Sequence, residues 1–329
     1  MGQPLIVIHD GAVDEFVALT LLGTPDFRNL YDLQAVIVTA GNCVGWSGSR
    51  VTRKALDLAG LNAVPVGLSA ARCYNPYPWV YRQYGAMLDL LPVLPPLDDA
   101  WRWSDGDTLL ADTLRAAAAP VTLLVLCPVT TLTDVLLKEP ALVTKIEKIV
   151  WMGGVVVDRN NPLPQGNIDS GLVPGGNPNA EWNVYWDAFA TQTLLEDPEN
   201  RLPGIRKVPI VDFSLAVTNA FPLTGAWVAT NLNPYVAEPL VNFAAHSYAM
   251  VVPNGGYALW DVVTTIYLAQ PQYFTLGAPI ALSVTTEDGP DQGSIYAGTT
   301  AGTNIQLTGM AATPEQVMDY FVSCLRSFS

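Results

Sequence analysis

The sequence predicts an α/β fold, with a mostly parallel central sheet flanked by helices. Short apolar runs alternate with helix-like stretches through the first two-thirds of the 329 residues. Most runs carry Val, Ile and Leu at consecutive positions, the pattern of strands buried on both faces. Strand–helix–strand repetition then calls for parallel pairing through right-handed crossovers. In order, strands are expected at 5–9, 33–39, 64–68, 121–126, 148–152 and 208–213, with helices at 14–22, 48–58, 106–118 and 131–137 between them. An irregular stretch, 158–179, is rich in Gly, Pro and Asn, and loops of that length are usually functional. Helical material follows at 187–195 and around 235–252, then strand-like runs at 280–285, 293–297 and 305–307, and a closing helix at 314–326. With no internal repeat and no linker, residues 1–329 are expected to form a single domain.

Composition narrows the function classes. Half the residues are hydrophobic and 14% are charged, which suits a compact globular enzyme. A formal net charge of −14 disfavours nucleic-acid and anionic-membrane partners, which need basic patches. Cys43, Cys73, Cys127 and Cys324 are scattered, so neither a zinc ribbon nor a disulfide scaffold is expected. The start Met1-Gly2-Gln3-Pro4 lacks a basic n-region, and Ile6 stands where myristoylation requires Ser or Thr. The uncharged stretches 217–237 and 262–286 contain Pro, Gly and hydroxyl or amide groups and do not suit a spanning helix. A cytoplasmic protein is expected.

Ligands of open α/β sheets bind beyond the carboxyl ends of the strands. The first strand runs directly into His9-Asp10-Gly11-Ala12-Val13-Asp14-Glu15. Three carboxylates packed into a strand-to-helix turn repel one another unless a cation sits among them, and oxygen-only ligands favour calcium or magnesium. Gly11 permits the sharp turn, and Asp14 and Glu15 fall where the helix dipole favours negative charge, so the acids also suit a plain helix start. A phosphoaspartate turn is excluded because Ile8 stands where its nucleophile belongs. A dinucleotide fold is excluded because the turn has no GxGxxG and its acids would repel a pyrophosphate.

Four more segments follow in order: Thr39-Ala40-Gly41-Asn42, Trp151-Met152-Gly153-Gly154, Glu181-Trp182-Asn183-Val184-Tyr185-Trp186-Asp187 and Tyr257-Ala258-Leu259-Trp260-Asp261. Together with Asp10, Asp14 and Glu15, the chain resembles the inosine–uridine-type nucleoside hydrolases, and its last segment is similar to that of their purine-preferring branch. The resemblance departs at Glu15, where the family usually has Asp, at Ile8, where it often has an acid, and at Ala12 and Ala216, where many relatives carry a polar residue.

The resemblance implies the nucleoside hydrolase fold, a Rossmann-like open α/β sheet, and an enzyme of purine salvage. It implies hydrolysis of the N-glycosidic bond of purine ribonucleosides with Ca2+ as cofactor, by a homodimer or homotetramer. Asp10, Glu15 and Asp261 would hold the calcium together with the backbone carbonyl of Leu126. The ion would orient and acidify the attacking water, and Asp10 would be its general base or a ligand alone. The transition state is an oxocarbenium-like ribose. Asp14 would take the 2′-hydroxyl, Asn183 the 3′-hydroxyl, and Glu181 with Asn167 the 5′-hydroxyl, with Asn42 and Met152 lining the floor. Asn167 also suits a simple turn after Gly166.

Where pyrimidine-tolerant relatives place a histidine before the distal aspartate, this chain has Trp260, and neither His9 nor His246 falls in that slot. An indole stacked on a purine favours the protonated base by roughly 1–2 kcal/mol. A second aromatic face would come from Tyr81 or Trp79. The competing expectations are a nucleoside hydrolase of broader, purine and pyrimidine, specificity and a calcium-dependent nucleoside- or sugar-binding protein without turnover, which would not need Asp10 as a base.

Overall fold

The computed structural model describes residues 2–39, 41–169, 171–298 and 304–328. Ala40 of the Thr39–Asn42 turn and Ser170 of the 158–179 loop lie outside the described residues. The strands are β1 (Gln3–His9), β2 (Tyr31–Val38), β3 (Val66–Leu68), β4 (Ser104–Asp105), β5 (Val121–Leu126) and β6 (Ile146–Met152). They continue as β7 (Ile210–Phe213), β8 (Phe274–Leu276), β9 (Leu282–Val284), β10 (Ile295–Ala297) and β11 (Ile305–Met310). Nine form one sheet in the order β4-β3-β2-β1-β5-β6-β7-β11-β8. Its neighbours pair in parallel, except β8, which runs antiparallel to β11 at the edge. The fold is therefore the expected α/β sheet.

Consecutive apolar residues pack both faces. Leu5 and Val7 meet one core with the helices Val13–Leu21, Gly45–Leu58, Pro239–Ala249, Trp260–Ala269 and Pro314–Arg326. Ile6 and Ile8 meet a second core with Gly106–Ala116, Thr130–Lys138 and Ala188–Leu195. All four strand residues are fully buried. Two strands of the main sheet are shorter than expected, and proline explains both. Pro65 and Pro209 lack the N–H that a ladder needs, so pairing begins at Val66 and Ile210.

Proline also trims the helix expected around 235–252: Pro239 opens it as its first residue, and the regular part ends at Ala249. The helices Trp79–Asp89 and Trp260–Ala269 lie outside the elements expected from the sequence. The second is buried almost all round, which erases the one-sided apolar stripe of a surface helix. The runs near 280–285 and 293–297 leave the main sheet, with β9 and β10 pairing antiparallel on their own. No helix among the described residues is long and apolar enough to cross a membrane.

β1 lies between β2 and β5, and connections run outward from it in opposite directions. That reversal opens a crevice at the carboxyl ends of β1 and β5. His9 pairs with Leu126 there, so the turn after β1 and the end of β5 face each other.

β7 carries a buried acid away from the crevice. Asp212 is 2% exposed, and its Oδ1 has no hydrogen-bond partner among the described residues. Burial, and then the charge of Glu181, push its carboxyl well above the ordinary range. Folding therefore takes up a proton here, and the resulting stability is complete below the unfolded value near 3.8 and is lost as pH rises towards the folded value. Asp212→Asn removes that loss, so it raises the unfolding free energy at neutral pH by about 1.4 kcal/mol for each pH unit of the window crossed. Urea unfolding of both proteins at pH 4 and pH 8 checks this; parallel pH dependences contradict it.

Candidate active site

The turn after β1 is shaped by Gly11 and Glu15. Gly11 has φ +85°, and a Cβ there would collide with Cys43. Glu15, in the first turn of the helix Val13–Leu21, reaches back so that its Oε2 accepts from Ala12 N (2.7 Å) and from Gly11 N. The extra methylene that distinguishes it from an aspartate is what lets the carboxylate cap its own helix. Behind it, His9 Nδ1 lies 3.1 Å from Oε2, and burial pushes this imidazole down to about 3, so it is neutral. Oε1 makes only a 3.3 Å contact with Asp10 N.

Asp10 is buried, and its Oδ2 accepts from Asn42 N (3.0 Å) and from the Tyr77 hydroxyl. Asp14 is clamped to the distal motif. Its Oδ1 accepts from the Tyr257 hydroxyl (2.8 Å) and its Oδ2 from Asp261 N (2.8 Å). Those bonds bring the helix Trp260–Ala269 onto the first turn and place Asp261 beside the other acids. Asp261 Oδ1 is buried without a partner.

These residues line a cavity of about 230 Å³, which suits a small molecule rather than a polymer. Asp10, Asp14, Glu15, Leu126, Asn42, Met152, Asn167, Glu181, Asn183, Asp261, Tyr81 and Trp260 all reach it. Trp79 does not: it is 66% exposed. Positions 79 and 81 share one helix two residues apart, so their side chains leave on opposite sides. His246 is also outside, on the exposed side of its helix, with Nδ1 2.9 Å from Asn242 O.

The far end of the floor is pinned by Glu181 and Asn183. Glu181 Oε2 accepts from Gly154 N (2.8 Å) and Asn183 N (2.9 Å), and burial raises its carboxyl to about 7. Asn183 Nδ2 donates to Met152 O at 3.0 Å. Asn167 serves the turn and the cavity together, because it lines the wall while its Oδ1 accepts from Trp182 N at 3.0 Å.

Aromatic walls complete the cavity. Tyr257 meets the Trp260 indole edge-to-face at 4.9 Å, and Asn219 Oδ1 accepts from Trp260 Nε1 at 3.1 Å. Elsewhere in the lining, Tyr81 stands edge-on to Trp182 at 5.5 Å. The sequence alone gives Trp182 and Tyr257 no role, although both sit inside segments that carry the family resemblance. Trp182 was findable, since it lies between Glu181 and Asn183. The bond from Tyr257 to Asp14 spans 243 positions and leaves no local signature.

Five carboxylates line this cavity, and no Lys, Arg or His does among the described residues. Burial and mutual repulsion push Glu15 and Asp261 well above the ordinary range. Among the described residues no three acid, Cys or His side chains form a closed metal cage. The donor set nevertheless fits a hard cation: uncompensated buried carboxylates, an orphaned Asp261 Oδ1, a sparsely bonded Glu15 Oε1 and the chain at Leu126.

The family model described as inosine-uridine preferring nucleoside hydrolase matches residues 5–317. The pyrimidine-specific ribonucleoside hydrolase RihA of Salmonella enteritidis PT4 is 26% identical over 283 residues, 84% of this chain and 82% of its own. The non-specific ribonucleoside hydrolase RihC of Klebsiella pneumoniae is 27% identical over 327 residues, 95% of this chain and 91% of its own. The crystal structure of an inosine-uridine preferring nucleoside hydrolase from Bacillus anthracis superposes with a TM-score of 0.82 at 26% identity, covering 99% of each chain. With the family model spanning nearly its whole length, the chain belongs to the inosine-uridine preferring nucleoside hydrolase family.

Proposed function

We propose that this member of the family hydrolyses purine ribonucleosides to free base and ribose in a calcium-dependent reaction. The observation that carries the proposal is a cavity with carboxylates at its floor and indole and phenol rings on its walls. Asp10, Glu15, Asp261 and the Leu126 carbonyl would hold the calcium, which when bound supplies an electrophilic anchor for the ribose diol and the attacking water. Asp10 takes the proton of that water. Asp14 orients the 2′-hydroxyl, Asn183 the 3′-hydroxyl, and Glu181 with Asn167 the 5′-hydroxyl, on a floor completed by Asn42 and Met152. These contacts strengthen as positive charge develops on the sugar, and only such contacts lower the barrier.

The purine preference rests on the walls. No histidine lines the cavity among the described residues, so leaving-group assistance falls to the Trp260 face, with Tyr81 also in the lining. The pyrimidine specificity in the name of RihA belongs to that protein, at 26% identity. Inosine and uridine assayed side by side, before and after chelation, test the proposal. Inosine cleavage should exceed uridine cleavage by at least about 10-fold, disappear with chelator and return with calcium. Uridine cleaved as fast as inosine would sink the purine preference. Binding of nucleoside without any release of base would favour the non-catalytic reading instead.

A further inference from the structure

The aromatic segment Asn75–Tyr81 does more than supply a wall. Tyr77 is 9% exposed and does not line the substrate cavity. Its ring packs against Trp186 in a small cluster with Ile168, Ala180 and Tyr185. From that anchored position its hydroxyl donates to Asp10 Oδ2, the same oxygen that accepts from Asn42 N at 3.0 Å. Gly41 makes the meeting possible, because a Cβ there would collide with Asp10 Oδ2 and lie 2.6 Å from the Tyr77 hydroxyl.

We infer that Tyr77 is a positioning residue for the hydrolytic reaction: with Asn42 N–H it holds Oδ2 of Asp10 and thereby reserves Oδ1 for water and cation. The inference rests on the role proposed above for Asp10. Two donors on one oxygen fix the rotation of the carboxyl about its Cβ–Cγ bond, which a single backbone donor leaves free to swing. A carboxylate that must both hold an ion and accept a proton needs that rotation fixed, since outer partners of metal ligands set ligand orientation. The phenol is itself fixed by its packing against Trp186, so the restraint comes from the body of the protein. Nothing in the sequence marks Tyr77 for this, because it is separated from Asp10 by 67 positions.

Tyr77→Phe keeps the packing and deletes the bond. At saturating calcium, kcat on inosine should fall roughly 10-fold while KM stays within about twofold, because the ribose and base contacts are made elsewhere. Calcium affinity, measured by titration calorimetry on stripped protein, should fall as well. A role confined to stability would lower the melting temperature and leave kcat per folded molecule unchanged. Gly41→Ala attacks the same contact from the other side and should reproduce the loss in kcat. The double variant should lose no more than the worse single one, since both act on one contact. Unchanged kcat in Tyr77→Phe, or fully additive losses, would overturn the inference. If the unaltered protein turns over no nucleoside, the hydrolase proposal fails first, and unchanged calcium affinity in Tyr77→Phe then overturns this one separately.

Discussion

Alanine at position 10 is expected to lower kcat on inosine by at least about 10³-fold, because one side chain would supply both functions proposed for it. Removing a general base alone costs roughly 10²–10⁴-fold, and Asp10, directly after β1, is also proposed to hold the cation. The variant should remain folded, since Asp10 is held by only two donors, Asn42 N and the Tyr77 hydroxyl. Leaving these donors unpaired costs about 1–3 kcal/mol each at most. A second readout separates the lost site from a damaged fold. Calcium that binds only the native state raises the melting temperature by mass action, and in Asp10→Ala that rise should shrink towards zero. Turnover within tenfold of the parent would remove Asp10 as the base.

The parallel sheet is legible in the sequence because its strands are buried on both faces, and Ile6, Val7 and Ile8 in succession have no other economical use. The acids at 10, 14 and 15 are legible as a cluster because they crowd one turn after β1, although that crowding suits a cation site and a plain helix start alike. What escapes local pattern is whatever depends on distant pairing. The helix Trp260–Ala269 hides because Val262, Val263 and Ile266 are apolar on more than one side. The capping role of Glu15 hides because a carboxylate at a helix start suits a cation and its own backbone alike. Tyr81 and Trp79 are equivalent in composition, and only the helix that carries both puts Tyr81 on the cavity wall and Trp79 in solvent. Tyr77 and Tyr257 act through hydroxyls that reach acids 67 and 243 positions away.

Trp260→Ala should cost about 10²-fold in kcat/KM on inosine but only about 10-fold on p-nitrophenyl riboside, through two separable contributions. Apolar contact with the ring binds any substrate that carries a flat leaving group, and its loss lowers turnover of both. The π face adds roughly 1–2 kcal/mol only where positive charge appears on the departing ring, as it does on a protonated purine. A nitrophenolate leaves without protonation, so it never uses that second contribution. The indole is held in place by Nε1 on Asn219 at 3.1 Å and by Tyr257 edge-on at 4.9 Å. Trp260→Phe retains a smaller π face and should recover part of the difference between the two substrates, whereas Trp260→Leu should recover contact alone. Equal losses on inosine and p-nitrophenyl riboside across the three variants would show the ring to be filler, and leaving-group activation would then have to come from Tyr81 or from water.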